Sequence, residues 1–253
     1  MDGRQSPQDL HRRIGTAAAP LVVDVRPAAA FEGDDALIAG AIRRPPETVA
    51  EWRRALPAGR PVVVYCVNGE EVSQDTAAAL RAAGIAAAYL AGGIAQWRAQ
   101  GLPTRRRIGT APGKWVTRER PKVDRIACPW LVRRFIDPEA EFLYVPSAEV
   151  RDVARRTGAV PYDVADAEFG HVGEQCSFDA FIRLYGIADR TLDRLALIVR
   201  GADTGRPDLT PQSPGLLALS QGLSANFADD HAMLAQGMVL YDALYAWCRA
   251  QAA

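Results

Sequence analysis

A cysteine at position 66 lies where a buried strand should give way to a helix. Residues 61–64 are apolar and mostly β-branched, which is typical of a strand inside a sheet, and residues 74–81 have the composition of a helix. Cys66 would then lie in a short loop at a helix N-terminus, where backbone N–H groups and the helix dipole favour a thiolate. This position suits a nucleophile. The alternative is a buried cysteine with a structural role only.

A second group of reactive side chains falls in one predicted loop of the second half. Glu168, His171 and Cys176 are close in sequence and could together bind a divalent metal ion. Asp203 or Asp124 would supply a fourth ligand. The spacing is not that of a standard zinc site. The alternative is a loop histidine whose hydrogen bonds are satisfied, beside a small buried cysteine.

Two arginines are candidates for binding an oxyanion. Arg125 would lie on a short helix near Cys128, and Arg200 follows an apolar helix. A guanidinium group presents several N–H donors in a plane, which suits the oxygens of an anion. A basic surface is the alternative for Arg125, and an interior ion pair is the alternative for Arg200.

The elements around Cys66 alternate between predicted strands and helices, which indicates a parallel sheet covered on both faces by helices. The stretch 105–113 is basic and then rich in glycine and proline, and it predicts a linker. We therefore expect a first α/β domain over residues 1–104 and a second domain over residues 114–253. The second domain has mostly helical patterns and little strand, so we expect a helix-rich α+β fold.

Composition sets outer limits on the function. The chain has 253 residues, of which 49% are hydrophobic and 24% charged, as in a globular protein, and its formal net charge is zero. That balance gives no argument for nucleic acid or a membrane surface as a partner. No apolar run approaches the ~20 residues of a membrane span, and the first residues do not resemble a signal peptide. The four cysteines are widely spaced, which predicts free thiols and a cytoplasmic location. Composition predicts no oligomeric state.

Six short motifs occur in order across residues 6–105. They are Asp24-Val25-Arg26, Phe31-Glu32, Gly40-Ala41-Ile42, Cys66-x-x-Gly69, Gly92-Gly93-x-x-x-Trp97 and Gly101-Leu102-Pro103. As an ordered set they resemble the rhodanese (sulfurtransferase) domain. The resemblance implies that Cys66 accepts a sulfane sulfur as a persulfide and passes it to a nucleophile such as a thiol or cyanide, without a cofactor.

The resemblance also implies a cradle of backbone amides around the persulfide. Its members would be Val67, Asn68, Gly69, Glu70, Glu71 and Val72. Related phosphatases and arsenate reductases have a loop one residue longer, so the six residues from Cys66 to Glu71 favour sulfur over phosphate. Many rhodaneses carry basic residues here, whereas this loop has Glu70 and Glu71. Two carboxylates repel a small dianion such as thiosulfate, and we expect a protein persulfide or a low-molecular-weight thiol to be the sulfur donor.

The second half carries its own motifs. They are Trp115-Val116-Thr117, the stretch from Lys122 to Leu131, Phe169-x-His171, Cys176-Ser177-Phe178-Asp179, the stretch from Ile198 to Asp203, and the stretch from Tyr241 to Tyr245. They resemble the C-terminal domain of bacterial chromate-resistance proteins of the B type. The resemblance implies a part in chromate resistance, through regulation, reduction or sensing of chromate.

Together these patterns predict a rhodanese-type sulfurtransferase coupled to a chromate-resistance domain that binds a metal or an oxyanion. Its partners would be a sulfur donor, a thiol acceptor and chromate. One alternative is a non-enzymatic chromate or metal sensor, which the acidic pair Glu70-Glu71 favours. No basic recognition helix supports nucleic-acid binding. Another alternative is a thiol-dependent chromate reductase, which requires redox-active cysteines close together among Cys66, Cys128 and Cys176.

Overall fold

Strands and helices alternate through the first part of the computed structural model, which describes residues 3–108 and 113–251. The described chain divides into two compact units. The first runs to Arg107 and includes the short segment Arg134–Pro138, and the second contains the remainder. None of the described helices is both long enough and apolar enough to cross a membrane.

The strands in the described residues are short. They are β1 Arg4–Gln5, β2 Leu21–Asp24, β3 Ala36–Ile38, β4 Ala41–Arg43, β5 Val62–Tyr65, β6 Ala87–Leu90, β7 Thr104–Arg106, β8 Lys114–Arg118, β9 Glu141–Val145 and β10 Val160–Pro161.

The α-helices of the second unit are on average longer than those of the first. The helices are α1 Pro7–Arg13, α2 Ala28–Glu32, α3 Val49–Trp52, α4 Glu71–Ala82, α5 Gly93–Ala99, α6 Asp124–Leu131, α7 Val150–Thr157, α8 Ser177–Tyr185, α9 Arg190–Asp203, α10 Ser213–Asn226 and α11 Asp230–Ala250. A π-helical turn, Val132–Ile136, continues α6.

The first unit is built on a five-stranded sheet with the order β1-β6-β5-β2-β4, in which every pair is parallel. Every residue of β2 and β5 is buried, so the sheet is covered on both faces. On one face, Ala77 and Leu80 of α4 pack in a cluster with Val62 and Val64 of β5. The predicted parallel α/β fold is confirmed.

A buried ion pair fixes the carboxyl end of this sheet. Arg26 and Asp24 are almost completely buried, and Nη2 of Arg26 lies 2.7 Å from Oδ2 of Asp24. The hydroxyl of Tyr65 donates to the same carboxylate oxygen at 3.0 Å. Because Asp24 and Tyr65 are paired in register on neighbouring strands, these contacts hold β2 and β5 together immediately before Cys66.

The stretch 105–113, predicted as a linker, begins inside the first unit. Strand β7 pairs antiparallel with β3. Arg105 is buried on this strand and donates to the carbonyl of Ala41 at 3.0 Å. The ladder satisfies backbone groups that a solvated linker would leave to water. Residues 109–112 of the predicted linker lie outside the described residues.

The second unit combines a three-stranded parallel sheet, in the order β10-β8-β9, with a group of helices. Helix α6 packs against α8 and α11, and α9 packs against α10 and α11. Trp115 on β8 is fully buried and meets the rings of Phe169 and Phe181 at 5.0 and 4.9 Å between centroids. The unit has the helix-rich α+β architecture that the sequence predicts.

Candidate functional site

Cys66 lies between the buried strand β5 and the N-terminus of α4, as predicted. The residue is only 5% exposed. Its Sγ lies 3.2 Å from the hydroxyl oxygen of Ser73 on α4 and 4.0 Å from the carbonyl oxygen of Glu70. The thiol therefore faces the first turn of the helix, where the backbone carries partial positive charge.

The backbone N–H groups that follow the cysteine lack hydrogen-bond acceptors among the described residues. From Val67 to Val72, the backbone N–H groups donate to no acceptor within the described part of the chain. Backbone N–H groups in folded proteins are normally paired with protein, water or a ligand. A run of successive free amides is a site for an anion or an electron-rich sulfur.

The loop is braced from the opposite side by the start of α5. The amides of Ile94 and Ala95 donate to the carbonyls of Cys66 and Val67 at 3.1 and 3.0 Å. Gly69 has a φ of +72°, and a Cβ there would lie 2.4 Å from the carbonyl oxygen of Leu90. Only glycine fits at this point, so backbone packing sets the shape of the loop.

Glu70 and Glu71 are both exposed. Glu71 is the first residue of α4, where a negative charge stabilises the helix through its dipole. The carboxylates thus border the loop on its solvent side. There they add negative charge to the approach of any anionic donor.

In the second unit, three carboxylates converge on one imidazole. Nε2 of His171 lies 3.3 Å from Oδ2 of Asp124 and 3.3 Å from Oδ1 of Asp163. It lies 3.2 Å from Oδ2 of Asp203. We call these four residues the aspartate–histidine cluster.

The members of the cluster come from three parts of the chain, which are α6, α9 and the connection from β10 to α8. Asp124 is the first residue of α6 and Asp203 is the last residue of α9. Asp163 follows β10 closely, and His171 lies in the loop before α8. The residue before Asp124, Val123, has a φ of +39°, which a β-branched residue rarely adopts. Strained backbone of this kind costs about 1–3 kcal/mol and tends to occur at functional sites.

A proline inside α6 helps to bring two of these elements together. Pro129 has no N–H, so it cannot donate to the carbonyl of Arg125 as another helical residue would. The hydroxyl of Tyr162 donates to that carbonyl instead, at 3.3 Å. Because Tyr162 directly precedes Asp163, this bond fixes Asp163 beside the helix that carries Asp124.

Further donors surround the carboxylates. The amide of Ser177 donates to Oδ2 of Asp124 at 3.2 Å, and its hydroxyl donates to Oδ1 of Asp163 at 3.1 Å. Two guanidinium groups reach Oδ2 of Asp163, from Arg118 at 2.8 Å and from Arg125 at 3.2 Å. Both positive side chains therefore pair with only one of the three carboxylates.

The cluster has unusual proton affinities. The hydrogen bond with Asp124, together with the nearby negative charges, outweighs burial and raises the pKa of His171 to about 9. Burial, reinforced by the charge of Asp124, raises the pKa of Asp203 to about 8. The same two causes raise the pKa of Asp163 above its usual value. Carboxylates that resist ionisation in a shared site are those that a cation would stabilise.

The structure brings some of the predicted ligands together and leaves one out. His171, Asp203 and Asp124 meet in the cluster. Glu168 is exposed and belongs to neither group of potential ligands found in the described residues. The reason is local: its neighbour Phe169 is buried against Trp115, which turns the glutamate outward.

Cys176 lies close to two carboxylates of the cluster. Its sulfur and carboxylate oxygens of Asp124 and Asp203 all lie within 4.8 Å of one another. Burial raises the pKa of the Cys176 thiol and that of the neighbouring Cys128 thiol. A buried, protonated thiol is a poor nucleophile. A bound metal ion deprotonates a thiol that coordinates it, so Cys176 stays a predicted ligand beside the cluster.

Sequence reasoning missed Asp163. The available signal was its place shortly after the short strand β10, since ligand sites collect at the carboxyl ends of parallel strands. Asp163 and His171 also line an open cleft of about 720 Å³, together with Arg118 and Arg151. Ligands can therefore reach the cluster from solvent.

Both arginines predicted to bind an oxyanion are paired with carboxylates. Arg200 forms a two-pronged pair with Asp179, at 2.7 and 3.0 Å. Arg125 contacts Asp163 and donates to the carbonyls of Arg118 and Glu119. For Arg200 the structure has the interior ion pair that was the alternative to anion binding. Arg125 supports the cluster.

Two family models match the chain. Residues 115–248 match the model described as "ChrB, C-terminal domain", and residues 6–100 match the model described as "Rhodanese-like domain". The first match covers the second unit almost completely, and the second covers most of the first unit.

Among curated proteins, Protein ChrB of Cupriavidus metallidurans is 35% identical over 133 residues. The alignment covers 52% of this chain and 40% of that protein, so the chain spans less than half of its relative's length. Among solved structures, a rhodanese-related protein from Thermoplasma volcanium is 25% identical, with coverages of 40% and 95% and a TM-score of 0.35. The Alr3790 protein from Anabaena sp. is 31% identical, with coverages of 42% and 95% and a TM-score of 0.37.

Proposed function

This chain belongs to the family of the ChrB C-terminal domain, which it joins to a rhodanese-like domain, and we propose a sulfurtransferase in the first unit and a divalent-metal centre in the second. The chain is thus a rhodanese fusion related to chromate resistance. The relation to chromate resistance comes from the family alone. The two arginines that could have bound an oxyanion, Arg125 and Arg200, are paired with carboxylates.

One observation carries the sulfurtransferase proposal. Cys66 is followed by successive amides, from Val67 to Val72, that donate to no described protein acceptor. A persulfide bears a terminal sulfur that carries negative charge, and preorganised N–H donors stabilise such charge without reorganisation. The adjacent N-terminus of α4 adds to the effect.

The reaction would run in two displacements with no net change of oxidation state. In the first, the Cys66 thiolate attacks the outer sulfur of a donor persulfide, R–S–SH. The bond between the donor sulfurs breaks, R–S⁻ leaves, and Cys66–S–SH is formed. In the second, an acceptor thiolate R′–S⁻ attacks the outer sulfur of Cys66–S–SH. This forms R′–S–SH and returns Cys66 as the thiolate.

The test is persulfide formation on the full chain, followed by mass spectrometry of the peptide that contains Cys66. Glutathione persulfide, thiosulfate and mercaptopyruvate serve as donors. We expect the gain of one sulfur atom at Cys66 with glutathione persulfide. Cys248→Ser, which removes another buried cysteine, should label normally, and Cys66→Ser should not. If no donor labels the parent above the level of Cys66→Ser, the proposal is wrong.

The metal proposal rests on the aspartate–histidine cluster. Three carboxylates and one imidazole within hydrogen-bond distance form a ligand set rich in hard oxygens, which suits an ion such as Mn²⁺ better than thiolate-preferring ions. The ion would take the place of the proton shared between His171 and its neighbours. Ligand atoms would come from Asp124, Asp163, His171 and Asp203.

Elemental analysis and titration with Mn²⁺ test this second part. We expect about one equivalent of metal per chain and a higher melting temperature when the metal binds. His171→Ala should lose both effects. A parent protein that binds no stoichiometric Mn²⁺, Mg²⁺, Fe²⁺ or Zn²⁺ would remove the metal centre from the proposal.

The two tests together also separate the enzyme from a sensor. Metal binding without sulfur transfer at Cys66 would leave a non-enzymatic metal sensor, in which the rhodanese-like unit serves as a binding module. Sulfur transfer in the absence of metal binding would leave the enzyme alone.

A further inference from the structure

Ser73 makes the one side-chain hydrogen bond to the Cys66 sulfur that the described residues contain. Ser73 is completely buried on the first turn of α4. Its Oγ lies 3.2 Å from Sγ of Cys66 and 3.0 Å from the carbonyl oxygen of Glu70. The hydroxyl therefore lies between a nucleophilic sulfur and a backbone acceptor.

A serine hydroxyl has one proton, so it can donate to only one of these two atoms at a time. While Cys66 is a thiol, the S–H donates to Oγ and the hydroxyl donates to the carbonyl of Glu70. Once the thiol proton leaves for a base in solution, the sulfur can only accept. The Ser73 hydroxyl must then turn towards the sulfur.

The second arrangement carries little penalty at the carbonyl. The oxygen of Glu70 also accepts the backbone N–H groups of Ser73 and Gln74, each at 3.1 Å. When the hydroxyl turns away, that oxygen keeps two donors and is not left unsatisfied. The Glu70 carbonyl is therefore hydrogen-bonded in both positions of the Ser73 proton.

We propose that Ser73 is a catalytic residue whose hydroxyl donates to the Cys66 sulfur whenever that sulfur is a thiolate. It would act in the resting protein and again when acceptor attack releases Cys66 as the leaving group. The inference rests on the proposed sulfur transfer for its biological purpose. Its physical content, stabilisation of the Cys66 thiolate, is independent of any sulfur donor.

The test is the pH profile of the alkylation rate at Cys66 in the full chain. Iodoacetamide reacts with the thiolate, and mass spectrometry of the Cys66 peptide gives the rate. Ser73→Ala should move the midpoint of the profile upward by about one pH unit, because a hydrogen bond to a charged group is lost. Because the sulfur is buried, iodoacetamide reaches it slowly. This lowers the alkylation rate by the same factor at every pH, so the midpoint of the profile does not change.

Thr76 supplies a matched control. It is also a buried hydroxyl residue on α4, but its Oγ1 donates to the carbonyl of Val72 at 2.7 Å. Thr76→Val should keep the parent midpoint, and so should Ser73→Thr, which retains a hydroxyl. If Ser73→Ala folds poorly by circular dichroism, Ser73→Val is used, since it has the shape of Ser73→Thr and lacks the hydroxyl. A midpoint equal to that of the parent in the folded deletion variant overturns the inference.

The outcome is separable from that of the sulfurtransferase proposal. A shifted midpoint in a protein that forms no persulfide would support the role of Ser73 and reject sulfur transfer. Persulfide formation with an unshifted midpoint would support sulfur transfer and reject the role of Ser73.

Discussion

Nε2 of His171 lies 3.2 Å from Oδ2 of Asp203, the residue that ends α9. The two residues belong to different motifs of the sequence, and only the packing of α9 against the loop before α8 brings them together. Asp124 completes the arrangement from the start of α6, since its backbone N–H lies 3.5 Å from the other oxygen of Asp203. The cluster therefore depends on a contact between the start of α6 and the end of α9.

Asp203→Asn should weaken Mn²⁺ binding at least about tenfold, because the amide keeps the shape of the side chain and loses its charge. Isothermal titration on the full chain measures the affinity. Glu168→Gln serves as the control, since Glu168 is exposed and lies outside the cluster. It should bind Mn²⁺ like the parent. Equal affinities for Asp203→Asn and Glu168→Gln would contradict the ligand set.

Neutralising the acidic loop should widen the choice of sulfur donor. Replacing both Glu70 and Glu71 by glutamine should increase the rate with thiosulfate by about tenfold at low salt, because repulsion of a dianion from two charges at roughly 10 Å amounts to about 1–2 kcal/mol. The gain should fall as ionic strength rises. Rates with cysteine persulfide, which carries less negative charge than thiosulfate, should change less. Glu51→Gln, at an exposed position on α3, should leave donor preference unchanged, and a similar gain there would point to net charge instead.

The shape of the cysteine loop should depend on Gly69. Gly69→Ala places a Cβ 2.4 Å from the carbonyl oxygen of Leu90, whereas a Cβ at Gly84 meets no atom within 4 Å. Both glycines have positive φ, so both substitutions incur the same backbone penalty of about 1–2 kcal/mol. Gly69→Ala should cost about 2 kcal/mol more than Gly84→Ala, because backbone atoms must move. Denaturant unfolding measures the difference. Equal costs would mean that the loop is not braced as described.

The ion pairs of Asp34 should make stability depend on pH. Asp34 contacts the buried guanidinium of Arg26 and the side chain of Arg98. Burial alone would raise the pKa of Asp34, but hydrogen bonds from the amide of Ala36 and from Arg98 outweigh it, and the pKa lies below its ordinary value of 3.8. A lowered folded pKa stabilises the protein above the unfolded pKa, and this contribution is lost as pH falls through the folded pKa.

Asp34→Asn should therefore lower the free energy of unfolding by about 1–2 kcal/mol near neutral pH. The deficit should shrink as the pH falls below about 4. Denaturant unfolding at several pH values follows it, with the exposed neighbour Asp35 as the site of the control substitution, Asp35→Asn. A deficit that stays constant with pH would show that the lost contact is not ionic.

Sequence reasoning predicted the first unit in most of its parts. The strand before Cys66 and the helix after it are each encoded by neighbouring residues, and the alternation of such segments indicates a parallel sheet. Ser73 was not predicted as part of the site. Its hydroxyl reaches the sulfur because of the rotation of α4 about its axis, and no local pattern encodes that rotation.

In the second unit, the sequence predicts only part of the site. His171, Asp124 and Asp203 were identified as candidate ligands because histidine and aspartate are ligand types. No sequence pattern singles out Asp163, and Glu168 is a candidate only because it is close to His171 in sequence. The cluster forms where the ends of helices and strands meet, and tertiary packing decides which ends meet. Spacing along the chain carries no such information once the ligands come from three separate parts of the chain.

Pro129 has a consequence for anyone who redesigns this protein. Helix propensity alone would replace it first, since proline is the least favourable residue in a helix interior, by about 3 kcal/mol relative to alanine. The substitution would return the carbonyl of Arg125 to its own helix and deprive the buried hydroxyl of Tyr162 of that acceptor. A more regular helix would thereby release Asp163 from its alignment with Asp124. Replacing Pro129 to raise helix propensity would stabilise α6 and disturb the aspartate–histidine cluster.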